Sequence, residues 1–174
     1  KRVVIAKQRV VVFRPDIDQE RYNTMRTHDG SSELESATGV VPNVVPTTDV
    51  YNSVISANAH TNIIDVVAFD EAQFYDPDSL LQAVRGLLGM HKRVICAGLD
   101  LDASGVPFGA MPQLLAMAHE VTKLTAICAV CRNSASKTQA KFRFQSGTNV
   151  HVSGDSDYEA RCDLCWKHPD DYRP

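Results

Sequence analysis

A chain of 174 residues that is 44% hydrophobic and 22% charged has ordinary globular usage and enough length for one substantial core with a small appendage. Its formal net charge of −3 and pI of about 6.1 argue against a surface built to hold a nucleic-acid backbone, a task carried by excess Lys and Arg, so small ligands are the expected partners and nucleic acid is not. No stretch approaches the roughly 18 consecutive apolar residues of a membrane span, and the first residues lack the order of a signal peptide; a soluble cytoplasmic protein with no membrane partner is expected.

Residues 1–7, KRVVIAK, read as the tail of a helix that opens with neither a capping signal nor an initiating Met, which predicts that something upstream has been removed. Gln8 to Phe13 (QRVVVF) is an apolar, β-branched run ended by Arg14, Pro15 and Asp16, the pattern of a buried strand. From Asp16 to about Asn62 the text is polar and irregular, predicting loops around one short strand near Val40 and a helix from Asp49 to Ala57. Ile63 to Phe69 and Arg93 to Ala97 read as continuous apolar strands. Between them a helix opens near Pro77, with Leu80, Leu81, Val84, Leu87 and Leu88 at helical spacing. A helix from Met111 to Ala118 and a further strand from Glu120 to Ile127 follow. Beyond these the composition turns to CxxC pairs, Gly, Ser and basic residues, which puts a boundary near Ala126. Strand, helix, strand with near-continuous apolar strands is the signature of a parallel sheet covered on both faces, whose ligands bind beyond the carboxyl ends of the strands.

Three constellations carry chemistry. Asp70 and Glu71 directly follow the apolar strand IIDVVAF, a position from which one acid can serve a Mg²⁺ ion near phosphates and its neighbour can accept a proton from an attacking hydroxyl. The bland alternative is a strand end marked by acidic turn residues. CAVC (Cys128 and Cys131) and CDLC (Cys162 and Cys165) are two knuckles about thirty residues apart, as in a closed tetrahedral Cys₄ site for structural Zn²⁺. A redox dithiol is the rival, but it needs one CxxC and gives no reason for the second. GLDLDASGVPFG, Gly98 to Gly109, is a glycine-punctuated loop after the strand RVICA, either a ligand-edge loop or an ordinary strand-to-helix connection. Cys96, inside RVICAGL, reads as a small core residue.

FRPDID followed by RY and THDG, then FDEAQFYD, GLDLDASGVPFG, VTKLTAICAVC and YEARC resemble, in that order and over nearly the whole chain, the type II (cellular-type) thymidine kinases. The resemblance implies an α/β fold, a RecA-like parallel sheet with flanking helices in residues 1–126, plus a small C-terminal zinc-ribbon lobe with a lasso loop in residues 127–174. It implies transfer of the ATP γ-phosphoryl group to the 5′-hydroxyl of thymidine or deoxyuridine, giving dTMP in pyrimidine salvage. Glu71 is then the base and Asp70 serves the Mg²⁺ that accompanies ATP. Asp18 and Arg21 lie near sugar and phosphates, Phe108 packs near the thymine, and the lasso, about Val150 to Tyr158, holds the nucleoside through Val152, Ser153, Gly154 and Tyr158. Simple packing is the competing reading for both Phe108 and Tyr158. The family also suggests a homotetramer and feedback inhibition by dTTP.

Two departures stand out. No GxxxxGK[ST] sequence occurs, so the chain is expected to be an N-terminally truncated fragment, inactive by itself for want of a phosphate-binding loop. Ala103 and Ser104 stand where the family commonly has an aromatic and a basic residue, which removes one ring from the expected base pocket. Two rival functions remain at this point: a RecA-like helicase or ATPase fragment, because DEAQ also resembles a helicase magnesium box, and a zinc-ribbon nucleic-acid-binding module, because of the basic stretch SKTQAKFRF.

Overall fold

The computed structural model describes residues 8–17, 43–59, 64–141 and 157–171. These fall into two compact units, one within Lys1–Gly98 and Gly109–Leu114, the other within Leu99–Phe108 and Leu115–Pro174. The expected helix tail over residues 1–7 and the centre of the expected strand near Val40 lie outside the described residues.

The first unit holds a four-stranded parallel sheet: β1 (Val10–Pro15), β2 (Asn43–Val45), β3 (Val66–Phe69) and β4 (Arg93–Cys96), in the spatial order β2-β1-β3-β4. β3, one of its two interior strands, is interior by composition as well as by place. Val66, Val67 and Phe69 are at most 1% exposed, so side chains on both faces are covered, as a parallel sheet requires. Phe13 stacks on Phe69 with ring centroids 5.7 Å apart, and Tyr75 meets Phe69 edge-on at 6.0 Å, which welds β1, β3 and the turn after β3 into one aromatic cluster. Helix α1 (Val50–Ala59) and helix α2 (Pro77–Gly89) flank the sheet. α2 begins where the sequence says it should: Asp76 caps it by accepting from the Ser79 amide at 2.9 Å, and Pro77 occupies the first turn, where a missing N–H costs nothing. It ends with His91 at φ 56°, while the Lys92 amide returns to the Leu87 carbonyl at 3.0 Å to satisfy the last turn.

In α2 the residues Leu80, Leu81, Ala83, Val84 and Leu87 are buried. Leu88 is not. At 37% exposure it lies one position past the stripe that faces the core. β4 also departs from a doubly covered strand: among the described residues it pairs with β3 alone, and Ile95 remains 39% exposed on this edge.

Helix α3 (Met111–Met117) leads to the second unit, where β5 (Ala126–Ile127) pairs antiparallel with β6 (Ser134–Ala135), and β7 (Lys137–Ala140) with β8 (Tyr158–Arg161). The expected strand from Glu120 to Ile127 shrinks to its last two residues. Its β-branched composition suits a strand, but among the described residues only Ala126 and Ile127 find pairing partners, and Leu124 is 88% exposed. No described helix is long and apolar enough to cross a membrane.

The α2 burial pattern yields a first prediction. Leu80→Ala should cost about 2–5 kcal/mol, since Leu80 is fully buried, while Leu88→Ala should cost well under half as much; urea unfolding of both variants checks the difference.

Candidate active site and metal centre

Parallel pairing sets Phe13 opposite Phe69 and Phe69 opposite Cys96, so Asp70 and Ala97 leave the sheet at its carboxyl edge beside Arg14, which is still paired with Val44 of β2. Arg14 donates from Nε and Nη2 to Asp70 Oδ2, at 2.9 and 2.7 Å. The other oxygen, Oδ1, accepts the Glu71 amide at 3.1 Å. Three of the roughly four acceptor positions on this carboxylate are thus occupied by the protein, and the side chain keeps 34% of its surface open. Both charge-assisted bonds from Arg14 land on one oxygen, and it is the Glu71 amide on the other that completes the orientation of the carboxylate.

Glu71 then reverses the chain. It sits in the left-handed region, at φ 51° and ψ 45°, a conformation that costs a residue with a Cβ about 1–2 kcal/mol. Hydrogen bonds on every side hold it there. The Ala72 amide reaches the Ala97 carbonyl at 2.9 Å, the Phe74 amide returns to the Glu71 carbonyl at 3.0 Å, and Gln73 Nε2 donates to Glu71 Oε2 at 2.6 Å. Gln73 is 3% exposed, so its amide must be satisfied inside the protein. Two glycines make room for it: a Cβ on Gly98 would lie 2.4 Å from Gln73 Oε1, and one on Gly109, at φ 51°, would lie 2.3 Å from the Gln73 carbonyl oxygen. The first and last glycines of GLDLDASGVPFG are therefore there to admit the residue that holds Glu71.

In the second unit, residues 99–108 form a tight loop. Asp102 Oδ1 accepts the amides of Ser104 and Val106 at 2.8 and 3.0 Å, Leu101 bridges to Pro107, and the Phe108 amide reaches the Asp100 carbonyl at 3.0 Å. Lys123 bonds Asp100 at 2.9 Å, and that contact holds the Asp100 carboxyl below its usual range. Ala103 is 6% exposed, so a ring substituted there would have to displace its neighbours. Phe108 is half-buried.

The four cysteines of the two knuckles converge, with all four Sγ atoms within 4.8 Å of one another and Cys131 and Cys162 at 3.5 Å. A tetrahedron with Zn–S bonds of about 2.3 Å has sulfur–sulfur edges of about 3.8 Å, so shifts of about an ångström at most bring the set around a metal such as zinc. Tight turns shape both knuckles: the Arg132 amide returns to the Cys128 carbonyl at 3.0 Å with Arg132 at φ 64°, and the Cys165 and Trp166 amides return to the Cys162 carbonyl at 3.1 and 2.9 Å. Backbone groups of Cys131, Cys162 and Val130 directed at its sulfur bring the Cys128 thiol down to about 6, the thiolate form that binds metal. Cys165 is pushed up to about 12 by hydrogen bonding to the sulfurs of Cys162 and Cys131. Cys96 stands apart from this group, its thiol pushed up to about 12 by burial.

Of the residues singled out from sequence, Asp70 and Glu71 stand together at the carboxyl edge of β3, the four cysteines form one cluster, and Tyr158 opens β8 opposite Ala140. Asp18, Arg21, Val152, Ser153 and Gly154 lie outside the described residues. Sequence reasoning passed over Arg14 and Gln73, although both sit inside quoted motifs, FRPDID and DEAQF. The signal was present for Arg14: a cation one residue past the stretch that pairs in register with VVAF must face the acid one residue past VVAF. For Gln73 no such signal exists, because its burial follows from the turn geometry.

Comparison with known proteins adds a family. The model of the family described as thymidine kinase matches residues 1–166. A thymidine kinase of Coprothermobacter proteolyticus is 42% identical over 169 residues, which cover 94% of this chain and 78% of that protein.

The contact between Gly98 and Gln73 is open to a double-mutant cycle. Gly98→Ala alone should destabilise by about 1–3 kcal/mol, and adding it to Gln73→Ala, which removes the atom it strikes, should cost clearly less than the sum. Denaturant melts of the two single variants and the double variant give the coupling directly.

Proposed function

We infer from its place in the thymidine kinase family, to which this chain belongs, that it transfers the γ-phosphoryl group of ATP to the 5′-hydroxyl of thymidine. The observation that carries this reading is the extent of the family match, which spans both the Asp70–Glu71 turn and all four cysteines. Deoxyuridine is the expected second acceptor.

In this reading Glu71 takes the proton of the 5′-hydroxyl as the oxygen attacks the terminal phosphorus in line. Gln73 holds Oε2, which assigns Oε1 to the proton. Asp70 has one acceptor position left after Arg14 and the Glu71 amide are satisfied, which suits contact through a coordinated water better than direct ligation of a cation. Mg²⁺ bound with ATP would supply charge neutralisation on the phosphates there. Asp18 and Arg21 are assigned to the sugar and phosphates. Phe108, Val152, Ser153, Gly154 and Tyr158 are assigned to the nucleoside, on the strength of the family resemblance. The cysteine cluster would hold a structural Zn²⁺, since four thiolates leave no open position for substrate. Resemblance also supplies the remainder of the proposal: a cytoplasmic homotetramer inhibited by dTTP. The helicase and nucleic-acid-module alternatives find no support in a chain of net charge −3 that matches one kinase family over most of its length.

Two measurements test the reading on the protein expressed from its complete reading frame. Glu71→Gln should lower kcat by about 10²–10⁴-fold while thymidine affinity measured by titration calorimetry and metal content stay near wild type; a wild-type kcat rules Glu71 out as the base. Elemental analysis should return one zinc per four-cysteine set, and chelation should lower the melting temperature. Undiminished thermal stability after chelation would count against a structural metal.

A further inference from the structure

We propose that Trp166 is a positioning residue that ties the 99–108 loop, and with it thymidine affinity, to the four-cysteine lobe. Trp166 follows Cys165 directly, and its amide is bonded to the Cys162 carbonyl at 2.9 Å, so its backbone is part of the second knuckle. Its indole is fixed from several sides. Nε1 donates to the Thr138 carbonyl of β7 at 3.1 Å, Lys137 Nζ lies 5.6 Å from the ring centroid, and His168 meets the ring edge-on at 6.1 Å. The benzo ring faces the tip of the loop: a Cβ built on Gly105 would lie 3.3 Å from Cη2 and 3.5 Å from Cζ2.

Gly105 has φ 77°, which suits a glycine, and the bare backbone there lets the loop tip close onto the ring. Behind the tip the loop is stiff, because Asp102 gathers the amides of Ser104 and Val106 and the Phe108 amide is tied to the Asp100 carbonyl. A displacement of the indole therefore passes to Phe108 rather than being absorbed on the way. The knuckle, β7 and the loop tip all meet on one side chain, so whatever orders the four thiolates also sets the loop. The nucleoside part of the inference rests on the proposed role of Phe108 in holding thymidine.

The test uses the zinc-loaded protein from its complete reading frame, with thymidine as the probe. Trp166 is the only tryptophan of these 174 residues, so its emission is read without labelling as the difference from a Trp166→Phe protein. Gly105→Asn keeps a side chain that accepts positive φ but places its Cβ against the indole. It should retain zinc, shift the Trp166 emission and raise the thymidine Kd by about tenfold, with the loss falling on KM rather than kcat. Trp166→Ala should weaken thymidine binding similarly, Trp166→Phe should restore most of it, and the Gly105→Asn/Trp166→Ala double variant should be no worse than either single one. A Gly105→Asn protein with unshifted emission, or with shifted emission and wild-type thymidine affinity, overturns the proposal. Should Trp166→Ala lose its zinc, Gly105→Asn alone decides. If the wild-type protein does not bind thymidine at all, it is the proposed function that fails.

Discussion

A buried primary amide is tolerated only when its hydrogen bonds are made inside the protein, and the carboxyl edge of this sheet is organised around that constraint at Gln73. One of its two N–H donors goes to Glu71 Oε2, while the missing Cβ atoms of Gly98 and Gly109 leave room for the residue. The same contacts keep Glu71 in a left-handed conformation that it would abandon in an unconstrained chain. Local strain, close backbone approach and a paired buried amide thus form one cooperative unit. Removing any member exposes the cost of the others.

Among the described residues of the second unit, the side chains buried around the cysteines are small. Its buried cluster consists of Cys128, Ala135 and Cys162 with Ala160 and Cys165 packed against it, so three of the five residues are thiols. Larger apolar residues nearby do not contribute: Ile127 is 67% exposed, Val130 57% and Leu164 94%. A four-coordinate metal is the kind of staple that small lobes use to hold such a cluster together.

How much of this was legible in the sequence follows from which interactions are local. The strands around Phe13 and Phe69 and the helix opened by Asp76 and Pro77 could be read because periodicity and capping are properties of short windows. The pairing of four cysteines could be read because two CxxC knuckles leave few other uses. Leu88 misled because helical spacing identifies a stripe but not its width, and Glu120 to Thr125 misled because β-branched residues without a pairing partner remain loop. The partnerships of Arg14 with Asp70 and of Trp166 with Gly105 span 56 and 61 positions respectively, and no single-window argument reaches them.

Adjacent carboxylates in one turn would ordinarily compete for the same counter-ion, and this turn separates them by the kind of partner each receives. Asp70 is gripped through one oxygen by a guanidinium, an arrangement that would be disrupted if that carboxylate had to accept and release a proton during each turnover. Glu71 is held by a neutral amide on one oxygen only, and that hydrogen bond persists whether the other oxygen is bare or protonated. Asp70 thus has the charged partner and Glu71 the neutral one. The proposed assignment of base to Glu71 and of cation partner to Asp70 is supported by this difference in the donors around them, a support separate from the order of the two acids in the chain.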